Sequence, residues 1–309
     1  MERERWSELS AAVSKVDAGW KDPGRYTHRT AVIVRVHLWA VSHDRPVSWA
    51  CEAENWDHRT RPEALPDQST MSRRTRGRHG KRFHAFLAAV GGEMNKGPLA
   101  SCDPRPGAEP MRLVKRMDGK ALAVAAHSKD PDARWGRGAG QQSNGYKAHL
   151  VRSDRPMPEQ WATTPLDVDE RVVARRMVKR LEGAGYILRD GMYDASDLHD
   201  RCAAVNHRMV GPRRRPGTGL GHRYQSPHRV RGIETMESPA GVNPFGKGLY
   251  RDRLQIERDL GNMASFGGGM QNPPPWVRRI WRVRNWVHAK LLINAARIRC
   301  LRRRQRTRA

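Results

Sequence analysis

Three acidic residues stand where chemistry could be built. Asp118 closes an apolar run, "RLVKRMDG", Asp190 closes another, "GYILRD", and Glu257 lies within a helical stretch, "LYRDRLQIERDLGNM" (249–263). In that stretch Leu249, Ile256, Leu260 and Met263 recur at helical spacing. At about 100° per residue, Tyr250, Arg253 and Glu257 fall on a second stripe along one edge of the first. Carboxylates meeting at a sheet edge would form an anionic hole that is stable only with bound cations. Oxygen-only ligation favours Mg²⁺, or Mn²⁺ in its place, with water and substrate phosphate filling the remaining positions. Two such ions, roughly 3.5–4 Å apart, can activate an attacking oxygen and stabilise a leaving one at a phosphodiester. Each acid taken singly has a plainer explanation. An Asp before Gly is a common turn residue, and a Glu in an arginine-rich helix is a common ion-pair partner. Their similar placement sets them apart.

To bring the acids together the chain needs a sheet. "MRLVKRMD" and "KALAVAAH" read as a strand pair about a turn at Gly119, and "GYKAHLVR" (145–152) as a third strand. A helix over 169–182, with Asp169 near its start, is followed by the strand "GYILRD", the helix "ASDLHDRCAAVN" and a fifth strand, "HRMVGP". This order predicts an α/β fold with a ribonuclease H-like mixed sheet. In such a sheet the first and fourth strands are neighbours and a later helix packs across their ends.

Residues 1–94 read as a helical, helix-turn-helix-like DNA-binding domain. Pro62 and Pro66 mark a turn, Asp67 or Ser69 caps the next helix, and Arg73, Arg74 and Arg76 make that helix basic. A small bundle with an exposed basic end accounts for the same pattern. The Gly- and Pro-rich segment 95–110 reads as a linker. The catalytic domain is then 111–273, with a compact basic insertion at about 211–248. Residues 274–309 form a C-terminal basic helix with Trp276, Ile280, Val283, Val287 and Leu291 on its apolar side.

The totals agree with an anionic partner. Among 309 residues, 58 Lys and Arg face 32 Asp and Glu, for a formal charge of +26, which attracts polyanions and nucleic acid first of all. An arginine excess from a GC-rich gene is the bland alternative. No run of 18 apolar residues and no signal-peptide core is present, so no membrane partner and a cytoplasmic location are expected. Cys51, Cys102, Cys202 and Cys300 lie too far apart for a metal-ligand spacing and read as reduced thiols. The "GRGAGQQSNG" loop lacks the Lys-Ser or Lys-Thr of a P-loop, which argues against a nucleotide cofactor. Asp130 and Asp132 in "SKDPDARW" read as turn formers, and Asp194 as a helix cap. Lys147 faces either DNA or solvent.

The residues also carry a resemblance. Tyr250, Arg253 and Glu257 match the Tyr-x2-Arg-x3-Glu helix of a group of DDE transposases from bacterial insertion sequences. The blocks "DGKALAVAAHSKDPDARWGRGAG" with "NGYKAHL", "YILRDGMYDASDL" and "QSPHRVRGIE" follow in the same order, and "LPDQSTMSRR" resembles the preceding helix-turn-helix. The resemblance implies that Asp118, Asp190 and Glu257 are metal ligands and that Tyr250 and Arg253 handle phosphates or bases. It implies double-stranded DNA as partner, a homodimer on DNA, and a bacterial, nucleoid-associated setting. One departure stands out: the signature continues with Lys seven residues after the Glu, and here position 264 is Ala. A catalytically silent DNA binder of this descent and a ribonuclease H-like nuclease are the competing readings.

Overall fold

In the computed structural model, which describes residues 2–100 and 113–308 apart from 126, 139, 216, 218–219, 221–223 and 238–243, the strand carrying Asp118 does not turn at Gly119. β1 (Val114–Ala123) runs through it and pairs antiparallel with β3 (Gln141–Arg152), from Arg116↔Arg152 to Ala123↔Gly145 without a break. The expected hairpin is therefore one strand. Glycine serves there for room rather than for a bend, because a Cβ at 119 would lie 3.0 Å from Lys147 Cδ. Two further strands are unexpected: β2 (Arg134–Gly138), partly in the glycine-rich segment read as loop, pairs with the first part of β3, and β4 (Gln160–Pro165) with the rest.

On the other edge of β1, β5 (Gly185–Leu188) runs parallel to it, and β6 (His207–Val210) runs parallel to β5. The order is β2-β3-β1-β5-β6, with β4 also on β3. The class is mixed α/β as expected. The neighbouring of the "RLVKRMDG" and "GYILRD" strands is consistent with a ribonuclease H-like sheet.

One face of the sheet is covered by α5 (Glu170–Val178) and α6 (Ser196–Ala203). Val173, Met177 and Leu198 there pack with Met117, Val151, Ile187 and Met209. Asp169 caps α5 by accepting from the Arg171 amide at 2.8 Å. The other face meets a helical layer made of α1 (Glu2–Gly19), α2 (Thr30–Ser42), α4 (Gly77–Met94) and α10 (Ile280–Arg306). Leu122, Tyr146 and Leu150 of the sheet share one apolar core with Leu9, Ile33, Phe86 and Leu291 of those helices.

The last helix is thus part of that core, and it begins at Ile280 rather than 274, which leaves Trp276 outside it and exposed. Besides Val283, Val287 and Leu291 it buries Asn285, His288, Lys290 and Asn294. Lys290 Nζ donates to the carbonyls of Val41 and Gly268, each at 3.0 Å, and lies in an ion pair with Asp44. Glu8 of α1 takes Arg299 at 2.5 Å and also pairs with Arg303, which ties the two ends of the chain together.

α3 (Gln68–Thr75) is the expected basic helix, capped by Asp67 through the Thr70 amide at 2.8 Å. The Pro62 to Pro66 segment precedes it as expected, but among the described residues no α-helix leads directly into that segment. Residues 43–67 intervene after α2, folded about Trp39 and Trp56, whose rings stack with centroids 4.7 Å apart. Most of the expected linker, and Cys102 with it, lies outside the described residues. The expected basic insertion contains α7 (Pro227–Glu237), packed against α6 and β6, and the start of α8 (Pro244–Arg251).

Candidate active site

Parallel register sets the first two acids side by side. The β1–β5 pairs end at Arg116↔Leu188, and Asp118 and Asp190 each lie two residues farther along, where pairing has stopped. Asp118 accepts from the Gly119 amide at 2.7 Å. Asp190 lies just past its strand, accepts from the Met192 amide at 2.9 Å, and opens a short 3₁₀ turn, Gly191–Tyr193.

The third acid arrives on a helix that differs from the expected one. Residues 249–263 form the end of α8 and nearly all of α9 (Leu254–Ala264), joined by i→i−3 bonds from Asp252 to Leu249 and from Arg253 to Tyr250. The joint is anchored to the sheet. Arg116, buried on β1, donates Nε to the Asp252 carbonyl at 2.9 Å and pairs with its carboxylate, clamping the turn to the sheet. Glu257 is consequently in the first turn of α9 rather than mid-helix, with Ile256 and Met263 buried beneath it.

All three acids meet on one guanidinium. Arg253 donates Nη1 to Glu257 Oε1 at 2.7 Å, and its Nη2 lies 3.8 Å from Asp118 Oδ2 and 3.9 Å from Asp190 Oδ2. Burial, with the nearby charges of Asp190 and Glu170, pushes the Asp118 carboxyl up to about 6 against the pull of its backbone hydrogen bond and of Arg253. Burial and Glu170 likewise hold Asp190 above the usual carboxylate range. Tyr250 is half-buried beside the cluster. Burial raises its phenol, Asp190 and Glu257 raise it further, and Arg253 and Arg189 oppose them.

Sequence reading missed a fourth acid. Glu170, in the first turn of α5, acts electrostatically on Asp118, Asp190 and Tyr193. Its side chain pairs with Lys147, which is 7% exposed and thus an inward-facing ion-pair partner rather than a solvent-facing cation. Asp118, Lys147, Glu170, Asp190, Arg214 and Arg253 line one cleft of about 730 Å³. The available signal was the "DVDE" start of a helix packed on the sheet, which places a carboxylate in a first turn.

Other expected residues are placed elsewhere. Arg73 and Arg76 are exposed. Arg74 is buried: it donates to the His28 carbonyl at 2.8 Å and to Thr30 Oγ1 at 2.9 Å, and stacks 3.6 Å from the Tyr26 ring centroid. Its donors are spent inside the helical layer, so it does not belong with the exposed pair. Asp194 is no helix cap, since α6 begins after Ala195 without a side-chain cap. Its carboxylate receives Arg229 at 2.6 and 2.8 Å, Arg189 at 3.1 Å and the Arg214 amide at 3.1 Å. Asp130 accepts from Tyr146 Oη at 2.7 Å and from the Arg279 amide at 3.1 Å, a structural use.

The donor set suits a hard cation. Three carboxylates bring only oxygen, and two of them are held where ionisation is costly without a positive neighbour. Among the described residues no three His, Cys, Asp or Glu side chains stand close enough to hold a metal ion as placed. Arg253 lies between the acids and supplies the positive charge.

The family model for the transposase DDE domain matches residues 116–273, a segment that begins at the Arg116 clamp and contains all three acids. The chain belongs to the DDE transposase family. The matched transposase domain thus includes β1 from Arg116 onward, β2 to β6, α5 to α9, and Asp118, Asp190 and Glu257 around Arg253. Among solved structures, the cryo-EM structure of a piggyBac transposase synaptic complex with hairpin DNA is similar, at 10% identity and a TM-score of 0.44. That similarity covers 96% of this chain and 71% of the other. No curated protein matches.

Proposed function

We propose that this transposase cuts and joins DNA at the ends of an insertion sequence in a reaction that depends on Mg²⁺, with Mn²⁺ as substitute and two ions at the centre. The observation that carries the reading is the convergence of Asp118, Asp190 and Glu257 on Arg253 within the family-matched segment. Those three residues would hold the metal. When bound, divalent cations stabilise charge on the attacking and leaving oxygens of a phosphodiester.

Arg253 then becomes free to meet a phosphate, with Tyr250 beside it. In the first step a water oxygen bonds to phosphorus and the 3′ oxygen leaves as a hydroxyl. In the second, that 3′-hydroxyl attacks another phosphodiester and expels its bridging oxygen, so each step exchanges one P–O bond for another. The Lys147–Glu170 pair shapes the cleft wall next to Asp118.

Double-stranded DNA is the proposed partner, consistent with the +26 charge, and a homodimer on DNA is the proposed working unit. No helix among the described residues is long and apolar enough to cross a membrane. The proposed setting is the bacterial cytoplasm, at the nucleoid. Exposed Arg73 and Arg76 are the proposed phosphate or base contacts of the helical layer.

A labelled duplex carrying the element's own end, incubated with and without Mg²⁺ and resolved on a denaturing gel, tests the reading. Metal-dependent cuts at the boundary are expected, and Glu257→Gln should keep end binding while losing them. Retained cutting in that variant would remove Glu257 from the site. A second reading, a catalytically silent DNA binder, is favoured by Ala264 at the signature Lys position. It predicts end-specific binding with no cut in either metal.

A further inference from the structure

A second cleft, of about 670 Å³, lies at the opposite end of β5 from the acids. Lys115, Trp161 and Ala184, near the starts of β1, β4 and β5, form one side, and His84 of α4 and Arg284 of α10 form the other. Along β5, Ala184 of this cleft and Asp190 are six residues apart, about 20 Å of extended chain, and along β1 Lys115 and Asp118 are three apart, about 10 Å, at roughly 3.3 Å per residue. The two clefts share no lining residue.

Its charge is unbalanced. Arg155, Arg180 and Arg284 come from three separate segments, and among the described residues none has an acidic partner. Of the two acids in the lining, Glu159 is taken by Lys115 at 3.5 Å, which leaves Glu182. Burial, and then Arg284, hold His84 below its usual range, so the histidines add no positive charge of their own at neutral pH. Trp161, half-buried with its ring 4.8 Å from that of His288, contributes an apolar wall. Planar guanidinium groups that line one cleft together with an aromatic ring suit phosphodiester oxygens better than they suit a neutral ligand.

We propose that this cleft is a second DNA site, which takes the phosphate backbone of a duplex on Arg155, Arg180 and Arg284. It rests on the reading of the chain as a DNA-joining enzyme. A basic chain acting on DNA favours a duplex over an acidic protein as occupant.

The test uses the full chain, EDTA, and a labelled random-sequence duplex without the element end, titrated with salt. Three proteins are compared: the native chain; Arg155→Ala, Arg180→Ala, Arg284→Ala together; and Arg25→Ala, Arg61→Ala, Arg308→Ala together as a charge-matched control. Each neutralised phosphate contributes about −0.9 to the slope of log affinity against log salt. The cleft variant should lose roughly 2–3 from the magnitude of that slope, and the control less than about 1. An unchanged slope, or equal losses in both variants, overturns the proposal. A labelled dAMP arm separates a mononucleotide pocket: dAMP binding that the cleft variant loses while its duplex slope stays native also overturns it. A native protein that binds duplex yet never cuts its element end would instead sink the strand-transfer reading, and the slope would still decide the cleft.

Discussion

Asp190 and Asp194 lie four residues apart at the same end of the sheet, and they live in opposite electrostatic worlds. Asp194 is enclosed by Arg189, Arg229 and the Arg214 amide. Burial pushes its carboxyl up, but those partners outweigh burial and hold it below the usual range. Asp190 has one backbone donor and a guanidinium at 3.9 Å shared with two other acids, and it stays above that range. The lesson is that burial alone marks neither residue as functional. Counter-charge decides: a carboxylate whose partners are complete is part of the framework, and one left short of positive charge is a candidate to bind a cation.

Substitutions should separate the two environments. The largest effect expected is on chemistry: Asp190→Asn should reduce end cleavage roughly 10⁴-fold, the scale on which loss of one member disables a catalytic unit. Its melting temperature in EDTA should equal or exceed the native value, because an under-compensated charge has been removed. Asp194→Asn should do the reverse to stability and cost about 3–5 kcal/mol in denaturant melts, since it leaves buried Arg189 without its carboxylate. If both variants melted alike, the contrast would collapse.

Asp118 sharpens the contrast through pH. Its folded carboxyl, at about 6, holds a proton more tightly than the same group in the unfolded chain. Between the ordinary carboxylate range and about pH 6 the folded state binds more protons, so stability falls as pH rises through that window. Thermal melts of metal-free native protein and Asp118→Asn should therefore diverge by on the order of 2 kcal/mol across it, with the native protein losing ground. Parallel curves would mean that Asp118 is not strained by its surroundings.

The smallest expected effect concerns two adjacent arginines. Arg74→Ala should cost about 1.5 kcal/mol or more, the scale of lost hydrogen bonds from a charged group. Arg73→Ala should leave the melt unchanged and weaken duplex binding. Equal melts would return Arg74 to the surface.

Much of this architecture was legible in the chain, for reasons that particular residues make plain. The α5-β5-α6-β6 order, the caps Asp67 and Asp169, and the neighbouring strands that carry Asp118 and Asp190 follow from local patterns, whereas β2, β4 and the unbroken β1 do not. The spacing of Tyr250, Arg253 and Glu257 pointed to one locality although the helix breaks between the first and last of them. What stayed hidden depends on partners distant in sequence. Arg74 reaches back to His28 and Thr30, Asp194 reaches forward to Arg229, and Arg116 bends the signature helix from far upstream. Lys147 and Glu170 each look like an ordinary charged residue until the fold pairs them. α10 misleads most, because a helix surrounded by neighbours buries Lys290 and Asn294 as readily as Leu291 once their polar ends find partners. Gly119 shows the same limit: a glycine that gives a lysine side chain room has the same letter as one that makes a turn.

The role proposed for Asp118, Asp190 and Glu257 is to receive together a divalent cation that Arg253 replaces in its absence. Mn²⁺ binding followed by electron paramagnetic resonance tests this directly on the native protein, Asp190→Asn and Arg253→Met. The account predicts that Asp190→Asn binds at least about tenfold more weakly, whereas Arg253→Met binds more tightly than native because the competing guanidinium is gone. Native affinity in Asp190→Asn, or weaker binding in Arg253→Met, would contradict it.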